Sequence, residues 1–198
     1  MLSNRIVKHF CAAAVAATVV GAANAAIVTW NVNLVIPNNI DGLYLNVETQ
    51  VAASAAGLAP GWDLNPYGTS TTSMSWFGAA APNGCVTGLG QGGTTVAVAS
   101  LSAGTLVSAA STFGNTACSV TAGGWVLNAA NYFGFRFLGA DAATHYGFGK
   151  MTMGSTMGVR TLDFVCYEST ANAGITVIPA PGAIALLGLV GLTGRRRR

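Results

Sequence analysis

Apolar residues recur at every second position in short runs, and this period most constrains the fold. Trp30, Val32, Leu34 and Ile36 alternate with Asn31, Asn33 and Val35 before Pro37-Asn38-Asn39 turns the chain. Leu43, Leu45 and Val47 repeat the pattern. Phe133, Phe135 and Phe137 share one face of a strand predicted over Tyr132–Leu138, with Arg136 on the other. A period of two buries one face of a strand, whereas a helix needs a period near 3.6. No helical period lasts longer than two turns, and no heptads occur. Gly, Asn, Ser and Pro clusters separate the runs. The pattern predicts an all-β fold, a single β-sandwich of jelly-roll-like type.

Further strands follow from the same rule. Gly139-Ala140-Asp141-Ala142 reads as a turn joining the Phe strand to His145–Met151 in a hairpin. Leu162, Phe164 and Cys166 are expected on one face, with Asp163, Val165 and Tyr167 on the other. A last strand is expected over 173–178. The Ala-rich segment 51–59 reads as a short helix or turn. The stretch 84–119 is poor in charge and rich in small residues, with β-leaning pieces such as 94–99.

Charge divides the chain into three parts. Of 198 residues only 8% are charged, and the formal net charge is +3. Globular chains usually carry about 25%. A hydrophobic content of 52% excludes disorder. Of the nine Lys and Arg, six lie at the ends: Arg5, Lys8 and Arg195 to Arg198. The middle keeps Arg136, Lys150 and Arg160 against all six acids, which leaves it at −3. The basic balance therefore gives no reason to expect a nucleic-acid partner.

The N-terminal end has the form of a secretory signal. Arg5 and Lys8 precede the apolar run 10–23, and Ala23-Asn24-Ala25 forms an A-x-A cleavage site. Residues 1–25 are expected to be removed by signal peptidase after Ala25. The alternative, an N-terminal anchor, is disfavoured because the run is short for a membrane span.

At the other end, Pro179-Ala180-Pro181-Gly182 precedes an apolar stretch to Thr193, and Arg195, Arg196, Arg197 and Arg198 close the chain. A helix over 182–193 would be roughly 18 Å long at about 1.5 Å per residue. That is short for a hydrocarbon core of about 30 Å. The arginines would stop transfer and stay cytoplasmic. The tail resembles a PEP-CTERM sorting signal in a Pro-Ala-Pro-Gly-Ala variant. Its three parts stand in the family's order, and it departs from the family in having Ala180 where the motif carries Glu. The resemblance implies a sorting signal over 179–198 that contains a short transmembrane helix, processing by an exosortase, and transient anchoring in the inner membrane. It also implies a Gram-negative host and placement at the cell surface or in an extracellular polysaccharide or biofilm matrix.

Residues 26–178 are then the mature domain. Cys11 leaves with the signal, so Cys85, Cys118 and Cys166 remain. In an oxidising compartment a Cys85–Cys118 disulfide is expected, because both lie in polar, turn-rich sequence. The loop of about 34 residues would contribute roughly 3–4 kcal/mol. Cys166, on an apolar strand face, is expected to be a buried free thiol.

Little chemistry is legible in the body. Cys166, His145 and Asp163 suit Cys–His catalysis by residue type, but no elbow or oxyanion motif accompanies them. No His or Cys set has zinc-ligand spacing. Asp41, Asp63 and Asp141 read as solvated turn acids rather than calcium ligands. No cofactor is expected, and the chain reads as a structural or interaction protein rather than an enzyme. The alternative is a carbohydrate-binding module of the matrix, with exopolysaccharide stacking on Trp62 and Tyr67. Trp76 and Trp125 are weighed for the same role against core packing. A secreted hydrolase comes last, since scattered acids define no carboxylate pair.

Overall fold

The computed structural model describes residues 26–88, 97–114, 118–121 and 124–178, apart from the side chains of residues 118, 119 and 121. Thirteen strands are formed there. They are β1 (Ile27–Val35), β2 (Tyr44–Asn46), β3 (Val51–Ala53), β4 (Leu64–Tyr67), β5 (Ser73–Gly78) and β6 (Gly84–Val86). Then come β7 (Leu106–Val107), β8 (Phe113–Gly114), β9 (Cys118–Thr121) and β10 (Ala130–Leu138). The last are β11 (Thr144–Met153), β12 (Arg160–Glu168) and β13 (Ile175–Thr176). The Ala-rich segment gives β3 and one 3-10 turn, Ala56–Leu58. No α-helix occurs among the described residues, and none there is long and apolar enough to cross a membrane.

A six-stranded sheet has the order β1-β12-β11-β10-β6-β8, and a five-stranded sheet the order β3-β2-β4-β5-β9. All their pairings are antiparallel. The core lies between them. Phe133, Phe135 and Phe137 of β10 meet Trp76 and Met74 of β5 and Leu64 of β4, all buried in one cluster. Trp76 and Phe133 join the sheets, with ring centroids 4.6 Å apart. Burial of such side chains supplies about 1.5–3 kcal/mol each, which is what holds two sheets face to face.

The six-stranded sheet is also covered on its other face. β13 pairs with β7 as a separate two-stranded ribbon, Ile175 opposite Val107. Val107, Ile175 and Val177 pack with Tyr146, Phe148, Phe164 and Cys166 in a second cluster. The last strand expected over 173–178 is thus real but short. Coverage on both faces explains why β11 reads as nearly continuous burial rather than alternation.

One expectation about faces is corrected. Leu162 packs in the inter-sheet core with Val165 and Tyr167, whereas Phe164 and Cys166 pack in the outer cluster. The cause is a bulge. Lys150 pairs with Phe164 but Met151 pairs with Leu162, so Asp163 is an extra residue that reverses the parity of β12. A second shift follows in β1, between Asn31 and Leu34, where Asn33 adopts φ 47°.

The Phe row of β10 needs glycine opposite it. Phe135 pairs with Gly147 and Phe133 with Gly149. A Cβ on Gly147 would collide with the Phe135 ring and the Cys166 carbonyl, and one on Gly149 with the Phe133 ring.

Arg160 is the largest surprise of the core, at 1% exposed. Its Nη2 donates to the carbonyls of Pro37 and Gly68 at 2.8 and 2.9 Å, and its Nη1 to Met157 at 3.2 Å. One guanidinium thereby ties together the turns that follow β1, β4 and β11. Burial lowers its proton affinity.

Candidate functional site

The outer face of the five-stranded sheet carries the most distinctive surface. Met74 and Trp76 point into the core, so Ser75 and Phe77 point outward. Pairing places Asn65 opposite Phe77 and Tyr67 opposite Ser75 on that face. Leu45 points inward, so Tyr44 and Asn46 join them. These six residues carry no formal charge.

The segment after the 3-10 turn folds over this face, held by Asn46. The Asn46 amide donates to the carbonyls of Pro60 at 2.8 Å and Gly61 at 3.1 Å. The Asn46 carbonyl oxygen accepts from Thr49 N–H at 2.8 Å. Asn65 donates to the Asp41 carbonyl at 2.7 Å. Gly61, at φ 67°, lets the chain turn beside Asn46. Trp62 is delivered between two rings. It meets Tyr44 edge-on at 5.0 Å and Phe77 at 6.2 Å with a 34° tilt. Tyr44 and Trp62 are half-buried and Phe77 is 38% exposed.

Both residues expected to contact glycan, Trp62 and Tyr67, therefore lie on this side of the sheet. They are not in ring contact. Tyr67 sits one step further along β4, while Trp62 clusters with Tyr44 and Phe77. Sequence reading missed the latter pair. The alternation of Leu43, Leu45 and Val47 already turns Tyr44 outward, and Trp76-Phe77 must split between two faces. Trp76 and Trp125 are core residues: both are buried, and Trp125 Nε1 donates to the Val98 carbonyl at 3.2 Å.

A polar cluster lies at the end of the sandwich where β2, β4, β6 and the β10–β11 turn meet. Asp63 is 3% exposed, which overturns its reading as a solvated turn acid. Its carboxylate accepts from Val47 N–H at 2.8 Å and from the Asn83 amide at 3.3 Å. Asn83 in turn accepts from Leu138 N–H at 2.9 Å, linking the sheets. Burial dominates the acid's proton affinity and pushes its pKa up to about 7, with Glu48 adding repulsion and the two hydrogen bonds opposing. Glu48 accepts from Ala140 N–H at 2.8 Å. Burial, with Glu48 and Asp63 nearby, also raises the Tyr167 phenol.

The Cys166, His145 and Asp163 set is not assembled into a catalytic unit. His145 Nδ1 lies 2.9 Å from the Glu168 carbonyl, and Nε2 lies 3.2 Å from both Asp141 oxygens. The exposed Asp141 carboxyl is held below its ordinary range, first by the Ala143 N–H and then by His145. Asp163 takes Thr152 Oγ1 at 2.8 Å and Lys150 Nζ at 3.4 Å. Cys166 is a buried free thiol donating to the Phe148 carbonyl at 3.5 Å. Burial pushes its pKa up to about 12, away from nucleophilic use. No metal-holding group of three or more His, Cys, Asp or Glu exists among the described residues.

The disulfide expectation is half visible. Cys85 lies on β6 in the inter-sheet core, and the backbone of Cys118, on β9, pairs with Trp76 of β5. The Cys118 side chain lies outside the described residues. So do Ala23, Ala25, Pro179, Ala180, Pro181, Gly182 and Arg195 to Arg198. Comparison with protein-family models, curated proteins and solved structures finds no match.

Proposed function

We propose that this chain is an exported structural or interaction protein. It is released from its signal peptide, processed by an exosortase at the inner membrane, and placed at the cell surface or in an exopolysaccharide matrix. The observation that carries this reading is the ordered tail: Pro179–Gly182, a short apolar stretch, then four arginines behind a body of formal charge −3. The jelly-roll-like class is part of the proposal and rests on the crossings between sheets from β5 to β6 and from β8 through β9 to β10. A Cys85–Cys118 bridge belongs to the same reading. Deleting Gly182 to Arg198 tests it. The truncated protein is expected to lose C-terminal processing and correct placement; unchanged maturation and release would remove the sorting claim.

A second reading, glycan binding, is favoured by the Tyr44–Trp62–Phe77 cluster. Sugar rings stack on aromatic faces, and an uncharged face beside half-exposed rings suits a neutral polysaccharide. Trp62→Ala is expected to abolish pull-down by the host's polysaccharide without altering secretion. Equal binding by wild type and variant would sink it.

A further inference from the structure

We propose that the outer edge of β1 is a self-association edge, at which a second copy of this chain adds its own β1 to the six-stranded sheet. β1 ends that sheet: β12 lies on one side, and among the described residues no strand pairs with the other. The phase of the pairing identifies the open backbone groups. Ser169 N–H donates to the Ala26 carbonyl at 3.0 Å, at the start of the register Ile27–Glu168, Val28–Tyr167 and Thr29–Cys166. In an antiparallel ladder, residues alternate between bonding the partner and facing away from it. Ala26, Val28 and Trp30 therefore bond toward β12. Ile27, Thr29 and Asn31 turn their N–H and C=O groups to the open edge.

Three properties make this edge receptive. It is long: nine residues, against two in β8 and three in β3. It is unguarded, because Ile27–Val35 contains no charge and no proline. Protein edges are normally blunted by Lys, Pro, brevity or bulges. The bulge at Asn33 lies toward one end and leaves 27–31 regular. Finally, its apolar side chains are incompletely covered. Trp30, Val32 and Leu34 reach the shared core only in part, while Ile27 is 50% and Val35 72% exposed.

The occupant that fits is the same strand. A two-fold axis perpendicular to the sheet pairs even-numbered residues with even-numbered ones. Val28, Trp30 and Val32 of both copies then share the inward face and continue one apolar row. Thr29 and Asn31 of both copies share the other face. Like charges opposite each other would oppose such pairing, and the strand has none. The inference rests on the edge alone and not on the chain's destination.

The test uses the protein expressed from its full coding sequence in its host and purified as the cell processes it. Asn31 is exposed, so Asn31→Lys leaves the core intact but places two like charges beside the axis. Thr29→Pro removes an N–H directed at the open edge, where proline is tolerated in a single sheet. Sedimentation velocity is expected to show wild type as a dimer or larger species and both variants as monomers, with native circular dichroism throughout. Hydrogen exchange at Thr29 and Asn31 is expected to slow as wild-type concentration rises. A wild type that stays monomeric at every concentration overturns the proposal. So does an Asn31→Lys protein that associates as strongly as wild type. Should Thr29→Pro fail to fold, Asn31→Lys decides alone.

Discussion

Asp63 shows how one side chain sets a pH response for the fold. Its carboxyl has a pKa of about 7 in the folded protein against an ordinary 3.8, because burial outweighs two hydrogen bonds. The folded state therefore holds the proton more tightly than the unfolded chain. The resulting stabilisation is complete below the ordinary value and is lost as pH rises through about 7. At about 1.4 kcal/mol per pKa unit, the loss between acid and neutral pH is on the order of 4 kcal/mol. Urea unfolding of wild type is expected to show this slope, and Asp63→Asn to flatten it. The variant also starts lower by about 1–3 kcal/mol, since an amide N–H2 must face one of two donors. A wild-type stability flat from pH 4 to 7 would contradict the assignment. Neither Asp63 nor Arg160 was legible in the sequence. A carboxylate beside Gly61-Trp62 read as solvated, and nothing local marks the arginine after Gly158-Val159 as buried. Only the tertiary fold brings carbonyls from three turns to Arg160, and Val47 and Asn83 to Asp63.

At the level of elements, alternation was a good guide along most of the long strands. It placed the β10 phenylalanines, the β10–β11 hairpin and the inward row of β1 correctly. It failed at β12, where the extra residue Asp163 has no local mark and reverses every face after it. It found the last strand but missed its partner β7, since a two-residue strand carries no period. The glycines of β11 were visible as letters but not as partners of rings. Gly147→Ala forces the Phe135 ring and the Cys166 carbonyl apart. Overpacking of this kind costs about 1–3 kcal/mol, and the variant is expected to melt correspondingly lower in calorimetry. Gly57→Ala, where a Cβ meets nothing, is the matched control and is expected to leave the melting temperature unchanged.

For the whole molecule, the two basic ends dominate the ionic character of the full chain. The full chain has an isoelectric point near 8.8. A body that has lost both ends carries three bases and six acids, so isoelectric focusing is expected to find the mature protein on the acid side. A mature form that still focuses as a base would mean that the arginines remain. The candidate aromatic face was only partly legible: Trp62 and Tyr67 stood out by type, while the placing of Trp62 depends on Asn46, which holds Pro60 and Gly61 against the sheet. The pairing of β1 with β12 has a further consequence, for the time course of folding. β10, β11 and β12 are joined by short turns and can zip locally. β1 must wait for a partner roughly 130 residues further along the chain. Such distant pairings place folding in the millisecond-to-second regime rather than the microsecond one. The first of the described strands to emerge in synthesis is thus among the last to find its place, and the sheet closes only when nearly the whole body is available.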